Sequence, residues 1–243
     1  GIGEAFAITY ARRGNDLVIA GRDETQLARV AGLARDLGAN VDVVAVDLAT
    51  ARGVDEMVAR AGDVEVIVAN AGITHAASLG ATDRDYLDSL VYLMATGVTR
   101  LCESLVPLMV ARGSGDGVIV SSIATFTPMR KAAPYAAAKS FATAYARSLA
   151  LEVATKGVRV VAVCPGYVRT DLHRRAGLDH LTRQVPRWMW LSSEDVVNAT
   201  DKALSRRKTV VVPGVVYKLA LPFLASTAAQ SAWRRLTRRS SKN

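Results

Sequence analysis

Cysteine and histidine are scarce in this sequence, and no run of residues announces a leader, a membrane span or a linker. Two cysteines stand in 243 residues, Cys102 and Cys164, far apart and in apolar stretches. That excludes a disulfide framework, and neither belongs to a metal-type spacing; they read as buried thiols of a reducing compartment. His173 and His180 make no metal-ligand pattern with nearby carboxylates and read as surface residues. The opening GIGEAFA has neither a basic region nor a long apolar run, which predicts a cytoplasmic protein without a signal peptide. The apolar stretch VVYKLALPFLAS is interrupted by Lys218 and Pro222 and is too short to span a bilayer. No repeat, low-complexity segment or linker divides the chain, so residues 1–243 read as one domain around one core.

What is present is globular: half of the residues are hydrophobic and 22% are charged, which excludes a disordered chain. Strand-like runs alternate with helical ones. DLVIAG (16–21), VDVVAVDL (41–48), VEVIVANAG (64–72), GVIVSS (117–122), VRVVAVCPG (158–166) and TVVVPG (209–214) are the strand candidates. Continuous Val and Ile runs mark strands buried on both faces, and the alternation marks right-handed βαβ units. The predicted fold class is therefore α/β, a doubly wound parallel sheet of the Rossmann type. Gly or Asp closes most of the strands at the C-terminal edge, where such sheets bind ligands.

One element is missing. A dinucleotide fold needs a strand, a glycine-rich turn and a helix whose N-terminus meets the pyrophosphate. Gly1, Ile2 and Gly3 supply the end of such a turn and GEAFAITYARRG the helix, but no strand precedes Gly1. The expectation is a natural protein that extends further in that direction.

The chemistry concentrates in PYAAAKSFATAYARSLALE (134–152). Tyr135 and Lys139 are four apart, hence on one helix face about a turn apart, with three alanines between them. A free phenol, with a pKa of about 10, is a poor base near neutrality; a neighbouring ammonium favours the phenolate. The pair thus reads as an acid/base device with cleared space around it. Standing alone it would read as a surface Tyr–Lys pair. Further stations lie upstream. Gly21 and Arg22 follow the second strand position of a dinucleotide fold, where an acid suits the ribose of NAD and an arginine suits the 2′-phosphate of NADP. The plainer reading of Arg22 is a strand-end arginine. Asp47 and Leu48 end the next strand, and Asn70, Ala71 and Gly72 form a small turn after the one beyond.

These residues resemble the short-chain dehydrogenase/reductases, over almost the whole chain and in the family's order. GIG resembles the end of its cofactor turn, Asp47-Leu48 its adenine contact, and Asn70-Ala71-Gly72 its central turn, with Ala69 where an asparagine is usual. Ser122, Tyr135 and Lys139 resemble its catalytic serine and Y-x-x-x-K motif, at the usual spacing. Pro165, Gly166, Val168 and Thr170 fall in PGYVRT, which resembles the segment over the nicotinamide. The resemblance implies NADP(H) as cofactor, NAD being disfavoured by Arg22. It also implies a small-molecule carbonyl/alcohol substrate, Tyr135 as acid/base, Ser122 on the substrate oxygen, Lys139 on the nicotinamide ribose, and a homodimer or homotetramer built through the long helices. One departure concerns Met94, which stands where the family usually has an asparagine that helps hold a water linking the lysine to solvent. A thioether cannot donate a hydrogen bond and accepts only weakly.

Residues 172–195 are read as a substrate lid, with Trp188, Met189 and Trp190 either facing a hydrophobic substrate or anchoring the lid to the core. Within it, Ser192 or Ser193 reads as the cap of a helix. Residues 218–243 form an apolar, then basic extension that holds Arg234, Arg235, Arg238, Arg239 and Lys242 and much of a formal charge of +9. An apolar stretch followed by a basic one suits a membrane surface; the plainer reading is a helix packed on its own domain or a partner subunit, and no nucleic-acid partner is expected. Two alternatives to an enzyme stand beside it: an NADP(H)-binding sensor or scaffold with relaxed catalysis, and a protein whose function is carried by its basic end.

Overall fold

The computed structural model describes residues 1–74, 77–172 and 185–226. Helices and strands alternate along the chain: α1 (Ile2–Arg12), β1 (Leu17–Gly21), α2 (Glu24–Arg35), β2 (Val41–Ala45), α3 (Ala51–Ala61), β3 (Val66–Ala69), α4 (Arg84–Val91), α5 (Gly97–Arg112), β4 (Gly115–Val120), α6 (Ala133–Val153), β5 (Val158–Val163), α7 (Ser193–Ser205), β6 (Val210–Val211) and α8 (Val215–Ala225). All described strand pairings within the sheets are parallel. The strands are shorter than the apolar runs that announce them. Val46, Asp47 and Leu48 leave the ladder after β2, and Asn70, Ala71 and Gly72 leave it after β3. Polar and small residues are thereby released into loops at the C-terminal edge, where a site can form.

The sheet is in two parts, β1-β2 and β3-β4-β5-β6. α1 begins at Ile2 with no described strand ahead of it, and the facing strands β1 and β3 do not pair with each other. A cavity of about 1680 Å³ is lined by residues of both.

The larger part is buried on both faces, as its Val-rich sequence requires. Along β4 and β5, Ile119, Val160 and Ala162 join a core with Cys102, Leu105 and Met109 of α5 and Ala142, Ala146 and Leu149 of α6. The alternate residues Val118, Val120, Val161 and Val163 join a second core with Phe6 of α1 and Val196 and Val197 of α7. This is the period of two expected of strands. Each Val, Leu, Ile, Met or Phe among them contributes roughly 1.5–3 kcal/mol on burial. Both cysteines are buried and unpaired.

The helical stretch from Arg84 to Arg112 is not regular throughout. A π-helical turn at Tyr92–Thr96 separates α4 from α5. Gly97 ends it, and a β-carbon there would lie 3.1 Å from the Tyr92 carbonyl oxygen and 3.3 Å from that of Leu48. Glycine thus lets the helix approach the loop after β2. The run Arg84–Arg112 is long and apolar enough to cross a membrane by length and composition, yet Leu90, Met94, Cys102, Leu105 and Met109 are buried within the fold.

Candidate active site

α6 starts with Pro134 in its first turn, where a missing N–H costs nothing, so Tyr135 and Lys139 sit one turn apart at its N-terminal end. Lys139 is 6% exposed, and its Nζ donates to the carbonyl oxygen of Val120 at 2.8 Å. Burial draws its pKa down to about 8, with Cys164 opposing the shift. Beside it, the Tyr135 phenol is partly buried. Burial raises its pKa, and a side-chain hydrogen bond with Ser122 pulls the other way. The Tyr–Lys spacing predicts a lowered phenol pKa; in the structure burial is the larger effect on both groups and acts against charge on each.

Ser122 lies just past β4 in extended conformation, and its Oγ accepts the N–H of Ala124 at 3.2 Å. Its neighbour Ser121 holds the frame. Ser121 Oγ donates to the Lys139 carbonyl oxygen at 2.8 Å and accepts from Thr143 Oγ1 at 2.7 Å, which fixes α6 against the end of β4. The Ile123 N–H donates to the carbonyl oxygen of Pro165 at 2.9 Å, which aligns the serine with the loop after β5.

The remaining stations close around this pair. A β-carbon on Gly72 would stand 3.5 Å from both Lys139 Nζ and Met94 Sδ, so glycine, ammonium and thioether meet at one point. A β-carbon on Gly3 would stand 2.7 Å from Asn70 Nδ2, closer than a real one can approach. A β-carbon on Gly1 would stand 3.8 Å from Thr170 Cγ2. Asp47 Oδ1 accepts the Ala49 N–H at 3.0 Å, and Arg22 Nε lies 3.9 Å from the same oxygen. Both side chains are largely exposed, 63% for Arg22 and 44% for Asp47, so their mutual attraction is worth little and Arg22 is available to another anion.

Gly1, Ile2, Gly3, Arg22, Asp47, Leu48, Asn70, Ala71, Gly72, Tyr135, Lys139, Pro165, Gly166, Val168 and Thr170 all line the one cavity, with Ser121 beside them; Ser122 does not line it and is tied to it through its hydrogen bond with Tyr135. Trp188, Met189 and Trp190 do not line it. They fall in and after a short 3-10 turn, Arg187–Met189, and only Trp188 is strongly exposed, at 67%. Trp190 donates to the carbonyl oxygen of Val185 at 3.2 Å and leans on the Tyr167 ring, with centroids 5.4 Å apart. Residues 173–184 of the predicted lid, with His173 and His180, lie outside the described residues, as do residues 227–243 of the C-terminal extension. Ser192 caps α7, and Asp195 returns the bond to the Ser192 N–H at 2.9 Å.

Sequence reading missed Ser121, Thr143 and Tyr217. The doubled serine and a threonine four residues after Lys139 were the available signal for the first two. Tyr217 has none. Its ring lies so close to Gly166 that a β-carbon there would be 2.1 Å away, while its Oη accepts the Tyr167 N–H at 3.0 Å and donates to the Met189 carbonyl oxygen at 2.6 Å.

The sequence model of the short chain dehydrogenase family matches residues 1–180. The chain belongs to that family. Among its relatives is an uncharacterized oxidoreductase of Myxococcus xanthus, 29% identical over 226 residues, which covers 91% of this chain and 86% of that protein. The fold is similar to a short-chain dehydrogenase from Sphingobium yanoikuyae in complex with NADPH, with a TM-score of 0.81, 27% identity, and 99% of this chain and 90% of that one covered. It is likewise similar to L-sorbose reductase from Gluconobacter frateurii complexed with NADPH and L-sorbose, with a TM-score of 0.76, 27% identity, and 89% and 92% covered. The short-chain dehydrogenase fold accounts for the parallel sheet and for the alternation of helices and strands.

Proposed function

We propose that this short-chain dehydrogenase is an NADP(H)-dependent oxidoreductase that interconverts a carbonyl and an alcohol. The observation that carries the reading is a shared wall: Tyr135 and Lys139 line the same cavity as the glycines at the start of α1 and as Arg22. The donor set fits a dinucleotide phosphate. The start of α1 offers backbone N–H groups without side-chain bulk, Asn70 closes on Gly3, and Arg22 supplies an exposed guanidinium at the end of β1. Asp47 is the candidate for the adenine amino group, and Val168 and Thr170 for the carboxamide. The NADPH described with the Sphingobium and Gluconobacter proteins supports the same cofactor here. When bound, that cofactor supplies or accepts the hydride.

The residues of the chain handle orientation and the proton. Ser122 Oγ hydrogen-bonds the substrate oxygen and turns it toward Tyr135. In reduction, the Tyr135 hydroxyl gives its proton to the developing alkoxide; in oxidation, its phenolate takes the alcohol proton. Burial keeps the phenol protonated through neutral pH, which suits reduction there and makes oxidation rise with pH. Lys139 holds the ribose hydroxyls. The partners extend to further copies, through the outer faces of α5 and α6 where Phe141 is 47% exposed, and to a lipid surface at the basic end.

The test is a fluorescence titration with NADPH and NADH in parallel. The expected result is saturable binding that prefers NADPH by about tenfold or more, with the preference lost in Arg22→Ala. Tyr135→Phe retains that binding and loses carbonyl turnover by about a hundredfold or more. A protein that binds neither nucleotide would overturn the reading.

A further inference from the structure

α8 is apolar on two faces. Tyr217 is 4% exposed and Leu221 packs with it against the core, which accounts for the inner face. The outer face carries Val215, Leu219 and Phe223, 70%, 70% and 69% exposed. Their four-residue spacing aligns them in one stripe along the helix. Lys218 is exposed beside them. The Tyr217 hydroxyl ties the helix to the turn Arg187–Met189, whose Trp188 is also exposed.

The charge of the chain is as uneven as its apolar surface. After Asp201 the sequence holds ten basic side chains and no acidic one, whereas residues 1–201 hold 21 basic and 22 acidic. The whole positive excess therefore lies on the C-terminal part of the chain, which includes α8.

We propose that the outer face of α8 docks on an anionic phospholipid surface, with the stripe Val215–Leu219–Phe223 set into the headgroup region, Lys218 beside it, and the positive excess of this part of the chain drawing it to the phosphates. Apolar side chains on one face with basic ones around them are the arrangement that binds such an interface. A second copy is disfavoured as the occupant, because a two-fold interface would bring two of these basic ends together. Nucleic acid is disfavoured too, because a Val-Leu-Phe stripe offers nothing to a phosphate backbone. On the oxidoreductase reading, docking also names a source of substrate. Tyr217 braces the loop of Gly166 and Tyr167, so the cavity wall lies behind the docked helix and apolar carbonyls dissolved in the bilayer become the substrate class.

The test is cosedimentation of the full chain with vesicles of phosphatidylcholine alone or mixed with phosphatidylglycerol, with NADPH binding measured on the same samples. The expected result is binding at least about tenfold tighter to the mixed vesicles, weakened by added salt. Leu219→Gln with Phe223→Gln should lower it about tenfold while leaving the melting temperature and NADPH binding unchanged. Removal of residues 227–243 should abolish the preference for anionic vesicles. Absence of vesicle binding, or binding that the double substitution leaves intact, overturns the proposal. So does a double variant that changes only self-association, or tighter binding to RNA than to vesicles. Retained NADPH binding in any of these cases leaves the oxidoreductase reading standing.

Discussion

Lys139 is a buried cation whose ammonium has one hydrogen-bond acceptor among the described residues, the Val120 carbonyl, and that has a consequence for stability. Its pKa in the fold is about 8, against 10.5 ordinarily. Between those values the unfolded chain binds more protons than the fold, so stability rises with pH across the window. Below pH 8 the penalty for the buried charge is fully present, on the order of 1–3 kcal/mol. Compared with Lys139→Met, the native protein should therefore gain stability as pH rises from 8 to 10.5. Melting curves of the two at pH 7 and pH 10 check this; a constant difference would mean that Lys139 keeps its proton. Met94 bears on the same group. It is 1% exposed, and its sulfur meets Lys139 across Gly72 without offering a donor. Met94→Asn places an amide there and should raise the turnover number about threefold, under 1 kcal/mol of barrier. A turnover number that stays level or falls would count against a proton relay limited at this position.

At the scale of elements, α7 shows how local chemistry sets a boundary. Ser192 Oγ accepts the Asp195 N–H at 3.0 Å, and Asp195 answers on the Ser192 N–H. Ser192→Ala removes one half of this reciprocal cap, costing about 1 kcal/mol. Thermal denaturation should show a drop of about 2–4 °C in Tm. Legibility also divides along these lines. The strands were legible because Val-rich runs have no other stable home than a sheet buried on both faces. The cap was legible because Ser and Asp at that spacing satisfy helix N–H groups. Met94 was legible only against the family resemblance, as a departure from its usual asparagine. The π turn that carries Met94 was not legible, since no periodicity in the stretch Tyr92–Thr96 announces it. Tyr217 was illegible for the same reason: its importance lies in a contact 51 residues away along the chain, with Gly166.

Across the molecule as a whole, the best-supported strands lie under the chemistry. β4 and β5 have partners on both sides, whereas β6 contributes two residues, Val210 and Val211, and pairs only with β5 among the described strands. Amide hydrogen exchange should therefore fall into two classes. The β6 amides should exchange through a local opening, and those of β4 and β5 only through global unfolding. Uniform protection across the three strands would show that the packed helices bind them into one cooperative unit. Arg22 follows β1 and Lys139 stands on α6, much later in the chain, yet both line one cavity. A ligand long enough to touch both is then a clamp as well as a reactant: on binding, it holds together segments that lie far apart in the chain.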